Sequence, residues 1–525
     1  MNVIPINVGI IKSSRRLMYG SIRVLLMIPT LIGMTFMVYS LIALAPGGFS
    51  ASASAASGGG NPSGSDPRIA EARFRDRFGL DEPIVTQYIR WLGRVSPVKF
   101  GSRAQIDSTG ERIYSPKSLP SMLAVGVAGN QERAAGVESG TPFVAAPIGE
   151  ERQAQYRALA RSNSSAREAF ISSLATLRIA LAQYAQATGQ ASLIDRRGEV
   201  QADSLGALMI DEQAPDWAGV RSASELASEM GVKAAHARAM LVASFESAPF
   251  TQAGVPVLPG VISIGTPDLG WSRTKNRPVS NLIMEALPVT MLINLIAFPL
   301  IYLVSIPTGM LAAARRGSWF DVLSGGLFIA LWSIPVVWAG VLAIGFLANN
   351  QYLGLFPVAG LHSTTSSTMS FLPTFTDGGF ERGWLLDMGW HLVLPVVCLV
   401  YAGFAVLSRQ TRAAMLDNFN ADYVRTAKAK GVSRRDIVTH HVFRNSLLPL
   451  ITMFVSIFPA MLSGSVIVEK IFSVPGMGSL MLESIGLHDA EIMLANTVMI
   501  GCVSLLALLV ADILYAVADP RVSYA

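Results

Sequence analysis

The sequence predicts an all-α polytopic membrane protein with six transmembrane helices and a mostly helical insertion between the first two. Of its 525 residues, 51% are hydrophobic and only 15% are charged, well below the charged fraction of about 25% in soluble domains. The apolar residues form six blocks, most of them close to the ~20 helical residues that cross a bilayer. Lys and Arg gather in alternate connections between the blocks, which is typical of multi-pass proteins.

The six apolar blocks divide the chain into three parts. The first block is preceded by Arg15 and Arg16, as the apolar run of a signal peptide is preceded by basic residues. Its apolar run is too long for a signal peptide, so we expect a helix that is retained in the protein. Residues 1–45 then form the amino-terminus and first helix, 46–281 an outer region, and 282–525 the core of helices two to six. The blocks lie near Val24–Ala45, Leu282–Ala313, Phe320–Leu347, Leu392–Leu407, Leu447–Val468 and Ile492–Val517.

The charges beside the blocks predict the orientation. Basic residues precede the first block, separate the second from the third, and dominate the connection between the fourth and fifth, whereas Arg382 stands alone in one intervening loop. Because Lys and Arg are retained on the cytoplasmic side, both termini are predicted to be cytoplasmic. The same asymmetry explains the net charge of +5, so the lipid bilayer is an expected partner and nucleic acid is not.

The outer region contains a flexible linker and a predicted small domain. Residues 50–65 are rich in Ser, Ala and Gly, as flexible linkers are, and the domain covers about 100–266. Ser165 and Ser222 each resemble the start of a capping box. The two predicted helices carry apolar stripes that suit a domain core better than a membrane surface. The stripes are Phe170, Leu174, Leu177, Leu181 and Tyr184, closed by Gly189, and Leu226, Met230, Ala237, Leu241 and Phe245.

The connection between the fourth and fifth blocks predicts a compact knob, residues 420–446. Asn420 is a plausible N-cap, Gly431 stands where a left-handed closing residue is needed, and Ser433 can cap a second short helix. Ala427 and Ala429 are small enough to let a partner backbone approach closely. Two short helices across a glycine turn can pass a partner's displacement to the membrane helices at both ends. An ordinary basic loop is the alternative.

The knob resembles the coupling loop of the oligopeptide/dipeptide ABC transporter permeases, in their B-type subunit. The likeness rests on Tyr423–Gly431 and Arg444–Pro449. Arg425 and Thr426 replace the first two residues of the family's Glu-Ala-Ala-x-x-x-Gly signature. The segment from about Phe100 to Thr266 departs from the family, whose members usually have only a short connection at this place in the chain. Further matches in order are Leu26–Gly33, Leu44–Gly47, Phe78–Pro83, Tyr88–Gly93, Asp268–Gly270, Leu287–Pro288, Arg316–Trp319, Ser333–Pro335, Phe356–Val358, Phe472–Gly476 and Asp519–Arg521.

The resemblance implies the fold of a type I ABC importer permease in the bacterial inner membrane. It implies half of a translocation pathway for peptides or similar small solutes, working by alternating access. The implied partners are a second homologous permease, two ATP-binding-cassette ATPases and an extracytoplasmic substrate-binding protein. No cofactor is expected in this chain, since ATP and Mg belong to the ATPases and no Gly-x-x-x-x-Gly-Lys-Ser/Thr motif occurs. The implied coupling loop is about 411–446, with Arg425, Thr426, Ala427, Lys428, Ala429, Gly431 and Ser433 as its coupling residues.

Prolines, glycines and carboxylates supply the remaining candidates. A rigid loop over the substrate path is predicted from Phe472, Pro475, Gly476 and Gly478, with a simple reversing turn as the alternative. Helix bends or static kinks are predicted at Pro335, Pro395 and Pro459. Glu285 and Glu469 are expected to be reached by water near the outer helix ends. Asp512 is expected to pair with a basic group.

Two other functions compete with the importer subunit. A self-sufficient secondary transporter or channel would need charged groups at mid-membrane and often two inverted halves, and the six blocks offer neither. A membrane-anchored sensor or scaffold acting through its outer domain would need one membrane helix rather than six. No catalytic or metal site is predicted. The transported substrate, and whether the partner permease is identical or different, stay open.

Overall fold

The computed structural model describes most of the chain. The predicted linker 50–65 and the match at Asp519–Arg521 lie outside the described residues. Contacts divide the chain into a helical unit, Met1–Gly48 with Leu269–Ala525, and a second unit, Phe49–Asp268. The described residues are 8–45, 67–79, 82–107, 112–120, 143–147, 149–194, 200, 208–211, 213–214, 216–258, 261–272, 274–376 and 379–518.

The described part of the chain is mostly helical, as predicted. Short 3-10 turns occur at Ala191–Leu193 and Ser366–Thr368, and π-helical turns at Ala343–Ala348 and Ile437–Phe443. In chain order the helices are α1 (Val8–Leu44), α2 (Pro67–Phe78), α3 (Ile84–Val95), α4 (Glu150–Ala187), α5 (Trp217–Glu246), α6 (Val279–Ala314), α7 (Trp319–Trp332), α8 (Val336–Leu342), α9 (Gly383–Phe419), α10 (Asp422–Ala429), α11 (Arg434–Asp436), α12 (Leu447–Val455), α13 (Ile457–Ser463), α14 (Val466–Ile471), α15 (Met477–Gly486) and α16 (Ala490–Ala518).

Within the described ranges the strands are short and all pair antiparallel. They form two three-stranded sheets, β1-β6-β5 and β3-β2-β4, and two hairpins, β7-β8 and β9-β10. In the first sheet Val98 lies opposite Ile264. The strands are β1 (Val98–Phe100), β2 (Gln105–Ile106), β3 (Arg112–Ile113), β4 (Thr251–Gln252), β5 (Val255–Leu258), β6 (Ile262–Ile264), β7 (Trp271–Ser272), β8 (Arg277–Pro278), β9 (Thr374–Thr376) and β10 (Gly379–Glu381).

The helical unit contains the predicted membrane spans. In the described ranges, five helices are long and apolar enough to cross a membrane, and a bent pair makes up to six. The bent pair is α7 with the segment Val336–Ala348, and the two parts meet at 86°. The break contains Pro335, whose missing N–H removes a helical hydrogen bond. The other five spans are Leu25–Leu44, Val279–Ala314, Gly383–Phe419, Pro449–Ile471, which comprises most of α12 with α13 and α14, and Ala490–Tyr515.

Glycines let α6 and α9 pack closely side by side. A Cβ atom on Gly309 would lie 2.6 Å from the backbone oxygen of Ser408 and 2.8 Å from Cβ of Thr411. On Gly403 it would lie 2.6 Å from Cδ1 of Ile301. The two helices therefore run parallel with their backbones nearly in contact, which fixes their spacing.

We expect Gly309→Ala to lower the thermal stability of the purified protein. The added methyl group meets backbone and a buried threonine, and such overpacking costs about 1–3 kcal/mol. Gly325→Ala is the matched control, because no atom lies within 4 Å of its Cβ position in α7; there alanine should keep or raise stability. The measurement is the apparent Tm in detergent. Equal Tm values for the two variants would contradict the close packing.

The second unit is built on the long helices α4 and α5. The predicted stripe from Phe170 to Tyr184 is buried, and Gly189 closes α4 with φ of +75°, both as predicted. The predicted starts are wrong, since Ser165 and Ser222 lie inside the helices. No Gly or Pro interrupts the chain from Glu150 to Ala187, and most of the residues from Glu150 to Arg161 favour a helix, so α4 begins directly after Gly149.

The buried face of α5 also differs from the prediction. Leu226 is 46% exposed, whereas the smaller Ala223, Ala227 and Ala234 are buried in the core shared with α4. Small side chains allow two long helices to approach closely, so alanines take the positions in contact. Leu241 and Phe245 are buried as predicted.

Candidate functional site

The knob begins with α10, one residue later than predicted. Its N-cap is Ala421, whose side chain makes no capping hydrogen bond, so the prediction for Asn420 is wrong. Asn420 instead ends α9 as its C-cap. Asn418 supports the turn by accepting a hydrogen bond of 2.7 Å from the Tyr423 hydroxyl.

The turn after α10 has the local geometry that its residues predict. Gly431 has φ of +73°, and its N–H donates to the Lys428 oxygen at 3.0 Å. The Ser433 hydroxyl accepts from the Asp436 N–H at 3.2 Å and donates to the Asp436 carboxylate at 2.6 Å. The left-handed glycine and the serine cap are therefore confirmed as structural features.

A small apolar core fixes the knob to the ends of α6 and α9. Val424 and Ala427 of α10 are buried with Ala313 of α6 and Met415 of α9. Ala427 is only 5% exposed, so it contacts its own chain, contrary to the partner-facing position expected for it. Ala429 is exposed. The knob and the two membrane helices thus form one packed body.

Polar contacts tie the knob to the same two helices. The Arg434 guanidinium donates to the Ala314 oxygen at 2.7 Å. The buried Ser446 hydroxyl donates to the Ala414 oxygen at 3.0 Å. A displacement of the knob therefore acts on α6 and α9 through hydrogen bonds as well as through packing.

An ion pair with a buried carboxylate joins α7 to α9. Asp321 of α7 accepts from Arg412 at 2.6 and 2.8 Å and from the Gly317 N–H at 3.0 Å. The bidentate geometry fixes both side chains. The sequence alone does not indicate this pair, because Asp321 and Arg412 lie 91 residues apart.

The solvent-exposed face of α10 is polar and basic. Arg425, Thr426 and Lys428 are exposed, with Arg425 exposed to 76% of its side chain. Beside them lies a groove of about 300 Å³. Its lining is Tyr423, Thr426, Ala427, Lys430, Val432 and His441. This face offers cations and a shallow groove to a partner with carboxylates.

The predicted loop at Phe472–Gly478 closes over a buried carboxylate. Glu469 is 2% exposed. It accepts from the Thr290 hydroxyl at 2.9 Å, the Ser465 N–H at 3.3 Å and the Ser479 N–H at 2.8 Å. The expectation that water reaches Glu469 is therefore wrong, because the chain that follows α14 folds back over it. We call Glu469, Thr290, Ser465 and Ser479 the Glu469 cluster.

Glycines make room for this carboxylate. A Cβ on Gly464 would lie 2.5 Å from Oε1 of Glu469, and one on Gly476 would lie 2.5 Å from its Cδ. On Gly478 a Cβ would lie 2.7 Å from the Val466 nitrogen. Gly476 and Gly478 thus serve close packing around Glu469, and this role was missed because their spacing suggests only a turn.

The loop itself is tied to the helical core. Phe472 is buried, and its oxygen accepts from the Gly360 N–H at 2.8 Å. Pro475 follows, between the buried Val474 and Gly476. The Met477 N–H donates to the Thr290 hydroxyl at 2.8 Å. The loop has one defined conformation, held at both ends.

The structure describes the remaining predicted carboxylates and prolines. Asp512 pairs with Arg23 at 3.3 Å, as expected of a structural pair. Glu285 is exposed and pairs with Arg277. Of the prolines, Pro335 is the N-cap of α8 at the bend, whereas Pro395 and Pro459 lie inside α9 and α13.

In the described residues no group of three or more His, Cys, Asp or Glu could hold a metal ion.

Comparison with known proteins relates the helical unit to transport permeases. The family described as "Binding-protein-dependent transport system inner membrane component" matches residues 305–524. The oligopeptide transport system permease protein AppB of Bacillus subtilis is 39% identical over 259 residues, 49% of this chain and 76% of AppB. The inner membrane ABC transporter permease protein YejB of Escherichia coli O157:H7 is 37% identical over 49% of this chain and 68% of its own length. The dipeptide transport system permease protein DppB of Escherichia coli K12 is 31% identical over 49% and 77%.

Proposed function

The chain belongs to the family of binding-protein-dependent inner-membrane permeases of peptide ABC transporters, and from this premise we propose that it forms half of an importer's translocation pathway. The cargo is peptides or similar small solutes, as in the names of the similar proteins. The observation that carries the proposal is the knob, packed as one body with the ends of α6 and α9.

The proposed mechanism follows from that packing. ATP binding closes two partner ATPases, and their movement displaces the exposed face of α10, which carries Arg425, Thr426, Lys428 and Ala429. Gly431 and Ser433 keep the knob rigid, and Ala427 passes the displacement to α6 and α9. A second homologous permease completes the pathway, and alternating access results when the two permeases rotate together.

The remaining parts of the proposal concern the other face and the setting. Both termini are cytoplasmic, and a substrate-binding protein delivers cargo on the opposite side. The loop of Phe472, Pro475, Gly476 and Gly478 covers the substrate path there. ATP and Mg bind only to the partner ATPases, so this chain hydrolyses no ATP itself. The segment of about 100–266 is an inserted domain on the outer side.

Reconstitution tests the proposal directly. We expect ATP-driven uptake of short peptides into liposomes that hold this chain with a second permease, two ATPases and a binding protein. The control omits only the ATPases and should show neither hydrolysis nor uptake. Uptake by the lone chain under an ion gradient would contradict the proposal and favour a secondary transporter.

A further inference from the structure

The Phe49–Asp268 unit holds a cavity that the proposed mechanism does not use. Its volume is about 670 Å³, within the range of roughly 300–1,000 Å³ for small-molecule sites. Strands, the first half of α4 and the residues after α5 contribute to it. The lining residues are Asp107, Arg112, Ile113, Tyr156, Arg157, Ala160, Arg161 and Phe250.

The floor of the cavity is aromatic and held in place. Tyr156 and Phe250 pack edge to face, with ring centroids 5.5 Å apart, and the Arg157 guanidinium lies 6.0 Å from the Phe250 centroid. The buried Gln105 fixes this arrangement, since it accepts from the Phe250 N–H at 3.0 Å and donates to the Phe245 oxygen at 2.7 Å. The apolar surface is therefore formed before any ligand arrives.

The rim of the cavity carries an excess of positive charge. Three guanidinium groups and one carboxylate, Asp107, line it. Arg112 donates to the Thr266 oxygen at 2.8 Å, and Arg161 donates only weakly to the Arg157 oxygen, at 3.4 Å. Neither Arg112 nor Arg161 forms an ion pair with a carboxylate in the described part of the chain. Both terminal nitrogens of Arg112 already donate to Thr266, one to its oxygen and one to its hydroxyl, so Arg112 contributes mainly its positive charge. Arg161 has both its charge and N–H groups available to an anion.

One further donor lines the same space. Tyr156 is buried, which raises the pKa of its hydroxyl, so the group stays a neutral donor at physiological pH. That hydroxyl makes no hydrogen bond to any residue that the structure describes. The hydroxyl oxygen itself is open to solvent, so it can donate to a ligand in the cavity.

We propose that this cavity is a binding site for short acidic peptides. The choice of peptides, among the anions that such a site could bind, rests on the proposed function. A peptide carboxylate pairs with the Arg161 guanidinium in a bidentate manner, and the positive charge of Arg112 attracts a second carboxylate. An apolar side chain of the peptide packs against Tyr156 and Phe250.

Direct binding to the full chain tests this site without any transport. The chain is placed in phosphatidylcholine nanodiscs without partner subunits, and the tripeptide Glu-Phe-Glu is titrated by calorimetry. We expect saturable one-to-one binding that weakens with added salt. The analogue Gln-Phe-Gln amide, which lacks every carboxylate and keeps the amino-terminus, should bind at least about tenfold more weakly, since hydrogen bonds between charged groups are the stronger ones.

A matched pair of variants assigns the binding to the cavity. Arg161→Gln should weaken the tripeptide about tenfold, whereas Arg221→Gln removes the same charge from an exposed position on α5 and should leave Kd unchanged. Equal Kd values for the two variants, equal binding of the analogue without carboxylates, or no binding at all would overturn the proposal. Because no partner is present, these outcomes are independent of whether the reconstituted complex imports peptides.

Discussion

Glu469→Ala is expected to abolish ATP-driven uptake and to cause a large loss of stability. The substitution removes the acceptor for the Thr290 hydroxyl and the N–H groups of Ser465 and Ser479. Each buried donor left unpaired costs about 1–3 kcal/mol. The loop Phe472–Gly478 then loses the group around which it folds, so the proposed cover of the substrate path is no longer held in one conformation.

Glu483→Ala is the matched control for this experiment. Glu483 is a carboxylate in the next helix, half exposed and paired with Lys275 at 2.8 Å, and such exposed pairs contribute only about 0–1 kcal/mol. The measurements are apparent Tm of the purified chain and peptide uptake by the reconstituted complex. If Glu469→Ala behaved like Glu483→Ala in both, the Glu469 cluster would have no special structural role.

A second substitution distinguishes the loss of hydrogen bonds within the Glu469 cluster from a general loss of packing. Thr290→Val keeps the shape of the side chain but removes the hydroxyl that joins Glu469 to the Met477 N–H. Because the two residues share one network, the loss of stability in the double variant Glu469→Ala/Thr290→Val should be smaller than the sum of the single losses. Additive losses would show that the two side chains act independently.

The features predicted correctly from the sequence depend on neighbouring residues. The membrane blocks follow from the length of apolar runs, and Gly431 and Ser433 follow from local rules for ending and starting helices. The Asn420 prediction failed because the same residue was needed to end the preceding helix. The Ser165 prediction failed because a capping pattern also fits inside a helix, and no Gly or Pro stops the helix between Glu150 and Ser165.

The features that were missed depend on residues far apart in the chain. Thr290 lies 179 residues before Glu469, so neither residue alone indicates a buried carboxylate. The same holds for the face of α5, where packing against α4 selects Ala227 over the more hydrophobic Leu226. The cavity in the second unit also joins β3, α4 and Phe250, which are separate in sequence.

Gly431→Val is expected to uncouple ATP hydrolysis from uptake in the reconstituted complex. The residue has φ of +73°, a conformation that costs other residues roughly 1–2 kcal/mol, with a β-branched residue the least tolerated. No atom lies within 4 Å of the Cβ position, so the penalty comes from the backbone alone. A penalty of that size lowers the population of the native turn about 5- to 30-fold, and the knob would then no longer pass its displacement to α6 and α9.

Gly431→Asn separates this effect from the mere addition of a side chain. Asparagine adopts the left-handed conformation readily, and the space around Gly431 admits it, so coupling should be largely retained. The measured quantity is the number of ATP molecules hydrolysed per peptide taken up, which should rise for Gly431→Val and stay near the wild-type value for Gly431→Asn. Equal ratios in all three proteins would mean that the turn at Gly431 does not transmit the displacement, and the coupling role proposed for the knob would be wrong.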